Sequence, residues 1–244
     1  AVRTFALPSH CNRAGKSPPV TPPLSVNNPR LLSLATAVPK HVLGQDAVSA
    51  IARRIFGVAG VDDLERMIAV FGNAGIDRRY SAAPADWFET PHGWADRNGL
   101  YIEAALALIE EAARQAIAEA GLKPQDIDQI VVVSTTGIAT PSLDALLLNR
   151  LPLRSDVRRL PIFGLGCAGG VSGLALTARL AASDPGSNWL FVTVETCSIS
   201  IRLDSDDPAA IVATALFGDG AAAAVVSTDD GGVARIRNSA EKLW

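Results

Sequence analysis

A layered α/β fold with a mainly parallel sheet is the architecture this sequence predicts, and two observations carry it. Short apolar runs such as Ile130–Val133 and Ala221–Val226 read as buried strands. They alternate with longer segments whose apolar residues recur at helical spacing. With 48% of its 244 residues hydrophobic, the chain has ample material for a core.

Six prolines between Pro8 and Pro29 remove backbone donors and forbid helix, so 1–29 reads as a flexible or extended leader. The domain proper, 30–244, opens with a strand at Leu31–Val38, ended by Pro39. Ala47–Phe56 and Asp63–Phe71 carry helical periodicity, and Gly72 and Gly75 stop the second. A loop with Pro84, Trp87, Pro91, Gly93 and Trp94 follows. Leu100–Ala120 is the clearest helix: Leu106, Ile109, Ala113, Ile117 and Ala120 share a face, Glu110, Glu111 and Arg114 face outward, and Gly121 closes it. Gln129–Ser134 is a strand, Ser142–Leu151 a short helix with Pro141 near its start, and Arg159–Gly164 a strand. Ala168–Ala182 is a small-residue helix and Trp189–Glu195 another strand. Ala221–Ser227 and Val233–Asn238 read as a terminal strand pair turning at Asp229–Gly232.

A formal net charge of −3 without a dense Lys/Arg block argues against a nucleic-acid or anionic-membrane surface. The apolar runs are too short to span a bilayer, and no apolar stretch with a cleavage pattern follows Arg3. Cys11, Cys167 and Cys197 form neither a disulfide framework nor a metal-ligand spacing, which points to a reducing cytoplasm.

Gly164–Leu165–Gly166–Cys167–Ala168–Gly169–Gly170 lies between a strand and a helix. Free N–H groups and the dipole at a helix start favour a thiolate, and flanking glycines leave the sulfur open to a bulky substrate. A thiolate exchanges acyl groups with a thioester, and the same N–H groups suit an oxyanion. A buried structural cysteine fits the local pattern equally well. The spacing matches neither a P-loop nor a dinucleotide fingerprint.

Four segments occur in one order: Ser134–Thr135–Thr136–Gly137–Ile138–Ala139–Thr140–Pro141, the Gly-Cys-Ala-Gly-Gly turn, Val194–Glu195–Thr196–Cys197–Ser198, and Ala215–Leu216–Phe217–Gly218–Asp219–Gly220–Ala221–Ala222. Together, from about Leu31 to Ser227, they resemble the chalcone/stilbene synthase family, the type III polyketide synthases, in its bacterial form. The resemblance implies a thiolase-like fold, seen here as its N-terminal half, and a homodimer. It implies that a starter acyl group moves from acyl-CoA to Cys167 and is extended with malonyl-CoA to a pyrone- or resorcinol-type product. The CoA thioesters are substrates, and no metal or redox cofactor is implied. It makes Phe217 the aromatic gate between CoA tunnel and cavity. Cys197, Ser200 and Thr140 line the starter and cyclisation pockets, Thr140 reaching toward the partner subunit. Each has a bland counterpart: Phe217 as core, Asp219 capping the turn's donors, Cys197 as an inert thiol. Small residues at the pocket positions suit a fatty acyl starter.

Two departures qualify the likeness. The family's catalytic His and Asn belong to the second half of its fold, and His10, His41 and His92 sit in loop-like positions that do not replace them. The C-terminal domain is therefore expected to be absent from this chain, which stops at Lys242–Leu243–Trp244, and the fragment alone to be inactive. Of the basic positions that hold CoA phosphates, only Arg66 matches; Ala69 and Asn73 occupy the others, leaving Arg78 or Arg79 as substitutes or as a solvated pair. The rivals are a fatty-acid initiation synthase of the same fold, using malonyl on acyl carrier protein, and a half-fold binding module.

Overall fold

The computed structural model describes residues 28–58, 64–201 and 208–241. Most of the leader expected over 1–29 lies outside them. In chain order the strands are β1 Arg30–Ala37, β2 His41–Gly44, β3 Arg78–Ser81, β4 Gln129–Val133, β5 Arg158–Ile162, β6 Trp189–Thr196, β7 Asp219–Ser227 and β8 Ala234–Arg235. The helices are α1 Gln45–Val58, α2 Leu64–Asn73, α3 Trp94–Glu119, α4 Leu143–Leu147, α5 Gly169–Ser183 and α6 Pro208–Leu216.

One mixed sheet runs β5-β4-β6-β7-β1-β8, and β2 pairs with β3 separately. The parallel pairings are β5–β4 and β4–β6, where helical crossovers join the strands; β6–β7, β7–β1 and β1–β8 are antiparallel. Every residue of β4 is buried, because both sheet faces are covered. Side chains alternate across the strand. Ile130 and Val132 join the larger core under α3, while Val131 and Val133 join a smaller one with Phe191 and Ala181 under α5.

α5 lies unusually close to the sheet. A Cβ on Gly173 would sit 2.6 Å from Phe191 Cε2 and 2.7 Å from Val133 Cγ2, and one on Gly169 would sit 2.7 Å from Val133 Cγ1. These two glycines, one helical turn apart, let the start of α5 descend onto the end of β4. That descent places the turn carrying Cys167.

Three expectations need correction. The strand pair after Ala221 does not form: β7 already has β6 and β1 on its two edges, so the chain crosses beyond it. β8 is two residues long and pairs with β1, flanked by Val233 N–H to Leu31 O at 2.8 Å and Ile236 N–H to Pro29 O at 2.9 Å. Trp94 is not loop but the first residue of α3, whose entry is fixed by Asp96, which accepts from Gly93 N at 3.3 Å. Arg79 is neither solvated nor open to CoA: it is buried, with its guanidinium on backbone carbonyls. The helix α6 and the β2–β3 pair were not anticipated.

Substituting Gly173→Ala is expected to destabilise the fold by about 1–3 kcal/mol through overpacking. Gly170→Ala, whose Cβ meets nothing within 4 Å, is expected to leave the thermal unfolding midpoint unchanged or slightly raised.

Candidate active site

The carboxyl ends of β4, β5 and β6 converge, and the candidate site is built from the residues that follow them. After β4 comes Ser134–Thr135–Thr136; after β5 the Gly166–Ala168 turn; at the end of β6, Glu195, Thr196 and the Cys197–Ser200 turn. Such ends are where parallel sheets present ligand sites.

Glu195 ties two of these ends together. Its carboxylate accepts from Thr135 N at 2.9 and 3.1 Å and from Thr136 N at 2.9 Å. Thr136 Oγ1 returns the link by accepting from Thr196 N at 2.9 Å. Thr135 Oγ1 then accepts from Gly166 N at 3.1 Å, extending the chain of bonds to the residue before Cys167. Gly166 holds φ at +53°, a left-handed conformation that disfavours a side chain. Cys167 occupies the middle of this short turn, exposed and unbridged, two residues before α5. Among the described residues Cys167 is thus exposed rather than buried.

Cys197, Ser200 and Phe217 share one cavity of about 90 Å³ with Ser198, Ile201, Ala210, Ala213 and Thr214. Cys197 is half-buried. Burial first, then Glu195, Asp219 and the Cys167 thiol, push the Cys197 thiol up to about 11. Cys197 is therefore a neutral lining group at neutral pH. Phe217 lines the cavity and is 44% exposed. Asp219 does cap backbone donors, though distant ones: its carboxylate accepts from Ala82 N and Ser198 N at 2.7 Å each, and from Ser198 Oγ. Burial holds the Asp219 carboxyl above its usual range, against the pull of those donors.

Three expected residues lie outside this lining, Cys167 on its own turn being the first. Thr140 is exposed in the loop between β4 and α4, before the cis bond to Pro141, and does not line this cavity. Arg66 is exposed on α2, with Ala69 and Asn73 also exposed, and is likewise outside the lining. His92 is held in its loop, its ring stacked on Trp87 at 4.0 Å, and His41 lies on β2. The lining contributed by α6 was missed; Pro208 ahead of the apolar run 209–216 is the signal that would have found that helix.

Residues 25–230 match the model of the N-terminal domain of chalcone and stilbene synthases. The chain is 38% identical over 199 residues to 1,3,6,8-tetrahydroxynaphthalene synthase of Streptomyces peucetius subsp. caesius, covering 81% of this chain and 52% of that enzyme. It is 30% identical over 226 residues to the acylalkylpyrone synthase CsyB of Aspergillus oryzae, covering 88% and 56%. The crystal structure of 1,3,6,8-tetrahydroxynaphthalene synthase from Streptomyces coelicolor, a bacterial type III polyketide synthase, superposes with a TM-score of 0.79 at 32% identity, over 84% of this chain and 59% of that one. CsyB complexed with CoA-SH superposes with a TM-score of 0.76 at 31% identity, over 84% and 57%. The chain thus spans about half the length of the curated relatives it matches.

With iodoacetamide, Cys167 is expected to be alkylated well before Cys197. At pH 8 a thiol titrating near 11 is ionised in roughly one molecule in a thousand, so Cys197 labelling should rise about tenfold per pH unit toward that value. Peptide mass spectrometry at several pH values reads both rates.

Proposed function

We propose that this chain, which belongs to the chalcone and stilbene synthase family as its N-terminal domain, supplies the acyl-accepting half of a synthase that makes polyketides by decarboxylative condensation of malonyl-CoA onto an acyl starter. Its fold is the thiolase-like layered arrangement of that family. The observation that carries the proposal is the accessibility of Cys167 at the start of α5, in a turn bonded to the loop after β4.

The Cys167 thiolate attacks the carbonyl carbon of an acyl-CoA; the tetrahedral intermediate collapses and CoA thiolate leaves, giving a Cys167 thioester. Malonyl-CoA loses carbon dioxide, and the resulting enolate carbon attacks that thioester. A carbon–carbon bond forms, the Cys167 thiolate is released, and the lengthened chain remains on CoA for return to Cys167. Backbone N–H groups beginning α5 are the candidates to hold the oxyanion. The His and Asn that assist decarboxylation in the family are assigned to a C-terminal domain joined to this one. The reaction as proposed uses CoA thioesters as substrates and needs no metal or redox cofactor.

Cys197, Ser200 and Phe217 are proposed to line the starter pocket, which their shared cavity supports. Thr140 is assigned to the subunit contact of a homodimer and Arg66 to CoA; their exposure is compatible with both roles. Among the described residues no helix is long and apolar enough to cross a membrane, and we place the enzyme in the cytoplasm.

We read the starter as a fatty acyl group and the product as an alkylpyrone or alkylresorcinol. Small side chains at Cys197, Ser200, Ala210 and Ala213 support this, as does the likeness to an acylalkylpyrone synthase. A short starter is the second reading, favoured by the modest cavity of about 90 Å³.

Incubating the intact synthase with acyl-CoAs from acetyl to palmitoyl should add one acyl mass at Cys167. Cys167→Ala should abolish the adduct and lower product formation by roughly a thousandfold or more. An adduct that persists in Cys167→Ala, or none with any acyl-CoA, contradicts the assignment. Product mass with malonyl-CoA then separates the two starter readings.

A further inference from the structure

Arg79 is buried in β3 without a carboxylate partner among its hydrogen bonds. Its Nη1 donates to Thr214 O and, at 3.1 Å, to Phe217 O; its Nη2 donates to Ala215 O at 2.7 Å and to Gln45 Oε1. Gln45 is in turn fixed, its Nε2 donating to Phe71 O at 3.0 Å and Ala215 O at 3.2 Å. The guanidinium thus caps the carbonyl end of α6, where the helix dipole is negative and carbonyls otherwise lack partners. Burial lowers the arginine's affinity for its proton, the cost of a charge held away from water.

Thr214 and Phe217, two of the residues whose carbonyls Arg79 holds, also line the cavity containing Cys197. Phe217 is the first residue beyond α6, and its N–H still donates to Ala213 O at 2.9 Å. Arg79 Cβ also packs on the next residue, lying 3.3 Å from where a Cβ on Gly218 would be. The backbone on which the Phe217 ring hangs is therefore fixed from inside the protein by one side chain that does not itself line the cavity.

We propose that Arg79 is a positioning residue for the cavity mouth: by holding the Thr214 and Phe217 carbonyls it sets the Phe217 ring and hence which acyl chains reach Cys167. This rests on the function proposed above, in which Phe217 borders the acyl path.

The test uses the intact synthase. Cys167 acylation rates are measured with acyl-CoAs from acetyl to palmitoyl for the wild type, Arg79→Lys, Gln45→Met, Phe217→Ala and the Arg79→Lys/Phe217→Ala double variant, with folding checked by circular dichroism. Arg79→Lys keeps the charge but not the fork that spans several carbonyls. It should slow acylation by roughly tenfold to a hundredfold, as displaced active-site groups do, and change the order of preference among chain lengths. Gln45→Met should shift that order in the same direction by less. With Phe217 already truncated, Arg79→Lys should change the order less than it does in the wild type. An unchanged order in folded Arg79→Lys, or a shift undiminished in the Phe217→Ala background, overturns the inference while leaving the function intact. Should Arg79→Lys not fold, an unchanged order in Gln45→Met overturns it. No adduct on the wild type with any acyl-CoA overturns the function and this inference with it.

Discussion

The Glu195 carboxylate is the fastening on which the candidate site depends. Standing at the end of β6, it accepts N–H groups from Thr135 and Thr136, at the start of the loop that leaves β4. Thr135 passes the constraint to Gly166 and so to the turn of Cys167. Three adjacent parallel strands would otherwise release their chains independently at their carboxyl ends. A carboxylate taking two backbone donors binds them more strongly than a neutral acceptor would, and it fixes those exits relative to one another. Gly169 and Gly173 complete the arrangement from the other side by letting α5 sit against Val133 and Phe191.

Around this fastening several polar side chains hold backbone groups. Arg79 holds the end of α6, and Asp219 holds Ala82 and Ser198. Arg97 does the same for the Cys197–Ser200 turn, donating to Ile199 O at 2.6 Å and to Ile201 O. Each fixes a segment bordering the cavity without occupying it. Moving one of these backbone groups away would break a hydrogen bond of a buried or part-buried side chain, so these segments have few alternative positions. The cavity walls are thereby set by groups lying behind them. Asp144 differs: fully buried at the start of α4, it pairs with Arg159 at 2.7 Å and ties that helix to β5.

Much of this was legible in the sequence where the signal is local. The β4 run reads as a two-face strand because each of its residues is apolar after Gln129, and α3 declares itself by period. The glycines around Cys167 announced an open turn before a helix, and the structure has one. What escaped depends on neighbours remote in the chain. Arg79 in an Arg-Arg-Tyr segment looks like surface charge; only the arrival of α6, some 135 residues later, buries it. Glu195 stood within a quoted motif, but its role as a fastening requires β4 and β6 to be adjacent. The pairing of β8 with β1 follows from both edges of β7 being taken, which no local pattern records. Ala210, Ala213 and Thr214 went unnoticed because small apolar residues in a helix resemble any core.

The claim at the centre is that the Cys167 turn is held by a relay from Glu195 through Thr135 to Gly166. A double-mutant cycle with Glu195→Gln and Thr135→Val, read as the rate of Cys167 alkylation in folded protein, tests it directly. Links in one chain give strongly non-additive effects. The relay predicts that each single substitution changes the rate and that the double variant behaves like the more severe single one. Rates unchanged in either single variant, or effects that simply multiply in the double, would contradict it.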